Sequence, residues 1–205
     1  MNRLLDGYRR FRVDVWEQQR SRFDQLAAGH SPETLVIACS DARVDPQMVF
    51  DAAPGELFVV RNVAALVPPF QPDGGRHGVS AALEFGVRVL KVKQIVVLGH
   101  AMCDAVQALV EGAPEQARDF VQPWMSIAEP VLSRDQAAEK AAGATQDGHE
   151  MEVVKLSLAN LLTFPWIEEA VRDKRLALHG MRFDIRSGNL WRLSETGRFL
   201  PVDAH

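Results

Sequence analysis

The chain has 205 residues, 47% of them hydrophobic, and a net charge of −4. This length suits one domain with a core of its own, with room for a helical extension. The acidic balance argues against a nucleic-acid or anionic-membrane partner, and no stretch approaches the length of a membrane span. Because the N-terminus is charged throughout and has no apolar signal core, we expect a soluble cytoplasmic protein.

The first predicted element is an N-terminal helical arm. Apolar residues recur at roughly helical spacing over residues 3–28, in one helix or in two, and the Gly29–Pro32 segment stops the pattern. We therefore expect residues 1–30 to form this arm and residues 31–205 to form a single metal-binding α/β domain, with no internal repeat or linker between them.

Apolar strands alternate with helices in the rest of the chain. Predicted strands span residues 34–38, 57–64 and 94–100, and a strand–turn–strand segment covers 176–193. Predicted helices begin at Pro46 and at residues 79, 103, 150 and 166, whereas 114–148 is poorly patterned and is expected to form loose helices. This alternation predicts an α/β fold with a mostly parallel central sheet flanked by helices.

Two groups of reactive side chains follow predicted strands. Cys39, Asp41 and Arg43 occupy alternate positions where the first strand ends, and His100 and Cys103 follow the third strand. Ligands of open α/β sheets bind at the carboxyl ends of the strands, so both groups are expected at one edge. In a reducing compartment a disulfide is disfavoured, and metal binding or catalysis is the leading use of two cysteines.

The donor set of Cys39, His100 and Cys103 suits zinc. Thiolate and imidazole both match the borderline softness of this ion, and Cys103 opens a helix, where the dipole favours a thiolate. Three protein ligands would leave a fourth position open, as in catalytic zinc sites. Asp41 could close that position as a permanent fourth ligand, which would make the site structural. Taken singly, each of these residues could also be an ordinary part of the core.

Asp41 and Arg43 are expected to act together as a catalytic pair. If the backbone stays extended, their side chains face the same cavity. The planar guanidinium of Arg43 can hold a carboxylate at two points, and could thereby draw Asp41 away from the metal. Alternation would thus place a metal ligand (Cys39), a carboxylate that can block the metal (Asp41) and the arginine that holds this carboxylate (Arg43) on one side of the segment.

These motifs resemble those of the β-class carbonic anhydrases. The similar segments are ACSDARV, VVLGHAMC, PGELFVVRNVAALVPP, SAALEF and SLANLLTFPWI, in the family's order and over roughly residues 30–193. The resemblance implies zinc, reversible hydration of carbon dioxide to bicarbonate and a proton, and dimers that can pair into tetramers. By motif position it implies zinc ligands at Cys39, His100 and Cys103, and an Asp41–Arg43 dyad. It implies a substrate pocket shared between subunits and lined by His30, Phe58, Val63, Phe85 and Gly99.

The resemblance further indicates the plant-type subclass, with four departures. Val36 stands where the bicarbonate-inhibited bacterial type carries Trp. The departures are His30 in place of Gln, Ala65 in place of Asn, Phe85 in place of Tyr and Asp104 in place of Gly.

Other functions remain open at the level of sequence. The same fold supports hydrolysis of carbonyl sulfide or carbon disulfide, and the chain could instead be a zinc-bound, low-activity relative that binds bicarbonate or a partner. Nucleotide binding is disfavoured because neither PDGG nor the single Gly99 forms a phosphate-cradling pattern.

Overall fold

The computed structural model describes residues 1–112, 114–131 and 146–203. A six-stranded sheet forms its centre, with the spatial order β2-β1-β3-β4-β5-β6. The first four strands along the chain pair in parallel, whereas β5 and β6 are antiparallel. The strands are β1 (Thr34–Cys39), β2 (Leu57–Asn62), β3 (Gln94–His100), β4 (Ala177–Phe183), β5 (Leu190–Leu193) and β6 (Phe199–Pro201). The predicted mostly parallel α/β sheet is confirmed.

Helices precede and separate the strands. The α-helices are α1 (Asn2–Arg10), α2 (Arg20–Ala28), α3 (Pro46–Val49), α4 (Gly78–Glu84), α5 (Asp104–Glu111), α6 (Val121–Met125), α7 (Gln146–Leu161) and α8 (Pro165–Arg172). Phe11–Trp16 and Phe85–Val89 continue α1 and α4 as π-helical turns. Among the described residues, no helix has the length and apolar character needed to cross a bilayer.

Both faces of the sheet are buried. Successive side chains of a strand point to opposite faces, so neighbouring residues of β1 join different parts of the core. Leu35 and Ile37 join a core that includes Leu161 and Phe164. Val36 and Ala38 face the other side and pack with Val44. A strand buried on both faces needs a continuous apolar run, which explains why β1 and β3 lack an alternating pattern.

The N-terminal helices leave much apolar surface exposed. No residue of α1 or α2 is buried, and Leu4 and Tyr8 are 74% and 60% exposed. The attachment to the rest of the chain includes Arg22, which donates to the Pro54 carbonyl oxygen at 2.7 Å. The predicted helical arm is present, broken between its two halves; its treatment as a unit separate from residues 31–205 remains a prediction.

The structure departs from the predicted elements in three places. The strand predicted over 57–64 ends at Asn62, since Ala64 and Ala65 adopt left-handed backbone angles with φ of 67° and 53°. Strand β6 was not predicted, because its three residues are too few to show a period. Residues 114–131 form short helical turns and residues 146–148 belong to α7, whereas the part of the predicted loose helices at 132–145 lies outside the described residues.

Candidate metal centre

Three donor side chains converge at the carboxyl edge of the sheet. Cys39 is the last residue of β1, His100 is the last of β3, and Cys103 caps the N-terminus of α5. Their ligand atoms all lie within 4.8 Å of one another, and the two Sγ atoms are 3.9 Å apart. All three residues are buried. The parallel order of β1 and β3 explains this convergence, because their carboxyl ends lie side by side.

The imidazole of His100 is oriented as a metal ligand would be. Its Nδ1 lies 2.9 Å from the Ala101 carbonyl oxygen, which can only accept, so Nδ1 carries the hydrogen. The lone pair therefore lies on Nε2, which is buried and has no hydrogen-bond partner among the residues that the structure describes. A buried nitrogen without a partner is costly, and a metal ion would satisfy it. The residues present thus fit a metal ion held by two sulfurs and one nitrogen.

The pKa values of the two cysteine thiols are shifted in opposite directions. The hydrogen bond from Cys103 lowers the pKa of Cys39, and the same contact together with burial raises the pKa of Cys103. Burial opposes protonation of His100, but its contacts with Cys39 and Ala101 raise its pKa overall. The ligand side chains thus retain protons that a bound metal would have to displace, so metal affinity should weaken in acid.

Asp41 lies beside this group and is held by Arg43. Arg43 Nε donates to Asp41 Oδ1 at 2.9 Å, and Nη2 donates to Oδ2 at 2.6 Å. This paired contact lowers the pKa of the Asp41 carboxyl to about 2 and raises the pKa of Arg43. Asp41 Oδ2 is 3.8 Å from His100 Nε2. The carboxylate is therefore adjacent to the donor set but bound to arginine in this structure.

The pair forms through a turn rather than through an extended backbone. The Arg43 amide donates to Asp41 Oδ1 at 2.8 Å, and the Val44 amide donates to the Asp41 carbonyl oxygen at 3.3 Å. An aspartate that accepts from the amide two residues on closes an Asx turn. We expected Asp41 and Arg43 to lie close together because they would alternate along an extended backbone. This reason is wrong, because the strand ends at Cys39 and the chain then forms a turn.

Arg61 braces this turn and was not identified from the sequence. Its guanidinium donates to the carbonyl oxygens of Cys39, Asp41 and Val44, at 2.9, 2.5 and 2.8 Å. A single arginine in the apolar strand segment LFVVRN was the only available signal. By tying three successive parts of the turn to β2, Arg61 fixes the path of the chain between Cys39 and Arg43.

Asp104, one of the four departures, also faces Arg43. Its Oδ1 lies 3.5 Å from Arg43 Nη2, and its side chain is 86% exposed. Arg43 Nη2 also donates to the Met102 carbonyl oxygen at 2.8 Å. Arg43 therefore bridges the two ligand-bearing segments, and Asp104 adds a second carboxylate to its surroundings.

The expected pocket residues do not all lie near the donors within one chain. Val63 packs against the cluster that contains Cys39 and Cys103. Phe58 and Phe85 contact each other, with ring centroids 6.0 Å apart. Phe58 pairs in register with Leu35, four residues before the Cys39–Asn62 pairing, so it lies toward the opposite edge of the sheet. His30 is exposed in the segment before β1.

Gly99 allows close packing between β3 and α7, and its place in a substrate pocket remains a prediction. An added Cβ would lie 2.7 Å from Val154 Cγ2 on α7. The glycine therefore lets this helix approach β3 immediately before His100.

A groove of about 1140 Å³ opens beside the donors. Ser40, Asn62 and Val63 contribute to its wall near the candidate metal centre. Trp124 also lines it and donates from Nε1 to the Val63 carbonyl oxygen at 2.8 Å. Trp124 was not identified from the sequence, because the periodicity of the segment that carries it is weak.

Known proteins share this sequence and this fold. A family model described as carbonic anhydrase matches residues 34–190. A carbonic anhydrase of Pseudomonas aeruginosa is 39% identical over the whole chain and 93% of its own length. Among solved structures, the β-carbonic anhydrase CcaA superposes with a TM-score of 0.90 at 29% identity, covering 98% of this chain and 99% of that one. A tetrameric β-carbonic anhydrase of Sordaria macrospora superposes with a TM-score of 0.76 at 26% identity, covering 98% and 95%. Since both the sequence and the fold match over nearly the whole length, the chain belongs to the β-carbonic anhydrase family of enzymes.

Proposed function

We propose that the protein is a zinc-dependent lyase that reversibly hydrates carbon dioxide to bicarbonate and a proton. The observation that carries this proposal is the buried, unpartnered Nε2 of His100, which converges with two cysteine sulfurs beside a carboxylate held by arginine. Zinc is the metal that best matches two thiolates and one imidazole. When bound, it supplies the Lewis acidity that makes a hydroxide nucleophile available near neutral pH.

Asp41 would keep one coordination position available to water. Its carboxylate is bound by Arg43 and is ionised at neutral pH, because its pKa is lowered to about 2. An ionised carboxylate accepts but does not donate, so Asp41 would orient the attacking oxygen by accepting its hydrogen at Oδ2. Arg43 would hold the carboxylate in that position by its paired contact.

The surroundings favour a small apolar substrate. Val63 packs on the cysteine cluster, and the neighbouring groove provides an open approach from solvent. In this proposal Phe58, Phe85 and His30 complete the pocket of a neighbouring subunit. Phe58 lies four residues before the end of β2, its ring contacts Phe85, and His30 precedes β1, whose far end carries Cys39. The family assignment supports carbon dioxide, and among the described residues we find no feature that favours carbonyl sulfide, carbon disulfide or an inactive binding role.

We also propose a homodimer or homotetramer acting in the cytoplasm. The exposed apolar side chains of the arm need a covering surface, and the relative from Sordaria macrospora is described as tetrameric. We assign the plant-type subclass within this proposal because Val36 stands where the bicarbonate-inhibited type carries Trp.

The function can be tested by pairing a rate with a metal measurement. Purified protein should hydrate carbon dioxide in stopped-flow measurements, and His100→Ala should lose both zinc and activity. His179→Ala is a suitable control, because this half-buried histidine lies on β4 beside Arg192, away from the donors. Hydrolysis of carbonyl sulfide by a protein that does not hydrate carbon dioxide would contradict the proposal.

A further inference from the structure

Two buried charged side chains lie behind the candidate metal centre. Glu150 on α7 and Arg182 on β4 are 1% and 2% exposed. Arg182 Nε and Nη2 each lie 2.9 Å from Glu150 Oε2. Burying two charges carries a desolvation penalty that their pairing only roughly offsets, so such a pair contributes little to stability by itself. We therefore look for a role of the Glu150–Arg182 pair other than stabilising the fold.

The other carboxylate oxygen of Glu150 contacts a candidate metal ligand. Glu150 Oε1 accepts a hydrogen bond from the backbone amide of Cys103 at 3.1 Å. This amide lies at the start of α5, where backbone N–H groups lack partners within the helix. The two carboxylate oxygens thus face different groups, the Cys103 amide at Oε1 and the Arg182 guanidinium at Oε2. Arg182 thereby holds the carboxylate that accepts from Cys103.

The turn that carries His100 and Cys103 needs such support. Met102 has a φ of 56°, in the left-handed region that is unfavourable for a residue with a side chain. The Ala101 amide donates to the Phe183 carbonyl oxygen at 2.8 Å, one residue beyond Arg182. β4 and α7 therefore both hold a strained turn that presents two of the three donors.

We propose that the Glu150–Arg182 pair positions Cys103 for metal binding through the Cys103 backbone amide. This proposal rests on the metal centre proposed above. The partners behind a ligand commonly set its orientation, and their loss lowers metal affinity about 10- to 100-fold. Glu150 and Arg182 are positioning residues here, since they act through Cys103.

A glutamine at position 150 separates positioning from stability. Glutamine has an NH2 group in place of one carboxylate oxygen, and this group cannot accept a hydrogen bond. The glutamine side chain therefore cannot accept from the Cys103 amide on one side and from Arg182 on the other. Glu150→Gln should therefore lose one contact and weaken zinc binding. Adding Arg182→Met removes the competing donor and frees the glutamine oxygen for Cys103. The double variant should recover zinc affinity even if it unfolds at a lower temperature.

The test measures the zinc dissociation constant by chelator competition, together with the visible spectrum of the cobalt-substituted protein. Glu150→Gln should weaken zinc binding about 10- to 100-fold and shift the thiolate-to-cobalt band, as expected when a supporting partner is lost. The double variant should return to within about threefold of the parent, clearly less than the loss of about 10-fold or more expected for the single variant. Glu152→Gln is the matched control: it lies on the same helix and pairs with Lys155 at 2.6 Å.

Either of two results overturns the positioning role: parent-like affinity in Glu150→Gln, or a double variant as weak as the single one. Amide hydrogen exchange of the unmodified protein provides a further test that needs no variant. The Cys103 amide should be strongly protected, and exchange at the rate of an exposed amide overturns the proposal. If the parent itself binds no zinc, the proposed function fails instead, so the two failures are distinguishable.

Discussion

At the scale of single residues, Arg43 matters because it holds Asp41. The pKa of Asp41 is lowered to about 2, first through its hydrogen bond with Arg43. A lowered carboxyl pKa stabilises the fold above its ordinary value of about 3.9, and this contribution is lost as pH falls through 2. Without Arg43 the pKa would return toward the ordinary value, and Asp41 would still be ionised between about pH 6 and 9.

Arg43→Ala should therefore lower activity without changing the shape of the pH profile between about pH 6 and 9. We expect a fall of about 10- to 100-fold at every pH, with zinc retained, because the carboxylate is no longer held. Initial hydration rates and metal content measure this. Arg88→Ala, which removes an exposed pair with Glu84, is the control. Parent rates in Arg43→Ala, or a profile displaced along the pH axis, would contradict the role given to this pair.

The departures at His30 and Phe85 give a second test at this scale. The double variant His30→Gln, Phe85→Tyr restores the plant-type residues. Phe85 is 46% exposed and its ring contacts Phe58, so an added hydroxyl can reach solvent or a neighbouring subunit. We expect equal or higher hydration activity with unchanged zinc content. A collapse in the rate would indicate that His30 has an adapted role, such as carrying the proton outward.

At the scale of elements, the site depends on the close approach of α7 to β3. Gly99→Ala would bring a methyl group to 2.7 Å from Val154 Cγ2. Such overpacking costs typically 1–3 kcal/mol of unfolding free energy. Because Glu150 belongs to the same helix, zinc affinity should fall as well.

Denaturant unfolding and chelator competition measure these two effects of Gly99→Ala. Adding Val154→Ala should relieve the clash, so the double variant should be more stable than the sum of the two single changes predicts. Strictly additive effects would mean that the helix and the strand do not meet as described.

The elements differ in how well the sequence predicts them. Long apolar runs such as those of β1 and β3 were correctly predicted, because burial on both faces leaves a clear signal. The turn between Cys39 and Val44 was not predicted, since it depends on Arg61. This residue lies 18 residues beyond Arg43 and reaches the turn only because β2 pairs with β1. The left-handed Ala64 and Ala65 leave no local trace, because alanine does not favour that conformation.

The donor set was predicted correctly as a group that could bind a metal, and its supporting residues were not predicted. Cys39, His100 and Cys103 stand out by residue type and by their position after strands. Glu150 lies 47 residues beyond Cys103, on a helix whose pattern indicates only burial. Long-range contacts of this kind arise from tertiary packing, which hydrophobic periodicity does not report.

At the scale of the whole molecule, the exposed apolar side chains of the N-terminal arm lead us to expect a homo-oligomer. Leu4 and Tyr8 are 74% and 60% exposed, so their replacement should leave the single chain folded. Leu4→Asp with Tyr8→Asp should shift a dimer or larger species toward the monomer in sedimentation, because a partner surface must then bury charge. Asp6→Asn, on the same helix, is the control. A parent protein that is monomeric at micromolar concentration would refute the assembly.

The central claim is that zinc held by Cys39, His100 and Cys103 is required for hydration of carbon dioxide. The most direct measurement depletes the protein of metal and follows the initial hydration rate as zinc is added back. The account predicts negligible activity without metal and a linear rise that ends near one zinc per chain, while Cys39→Ala stays inactive at every ratio. Full activity in the depleted protein, or in Cys39→Ala, would contradict it.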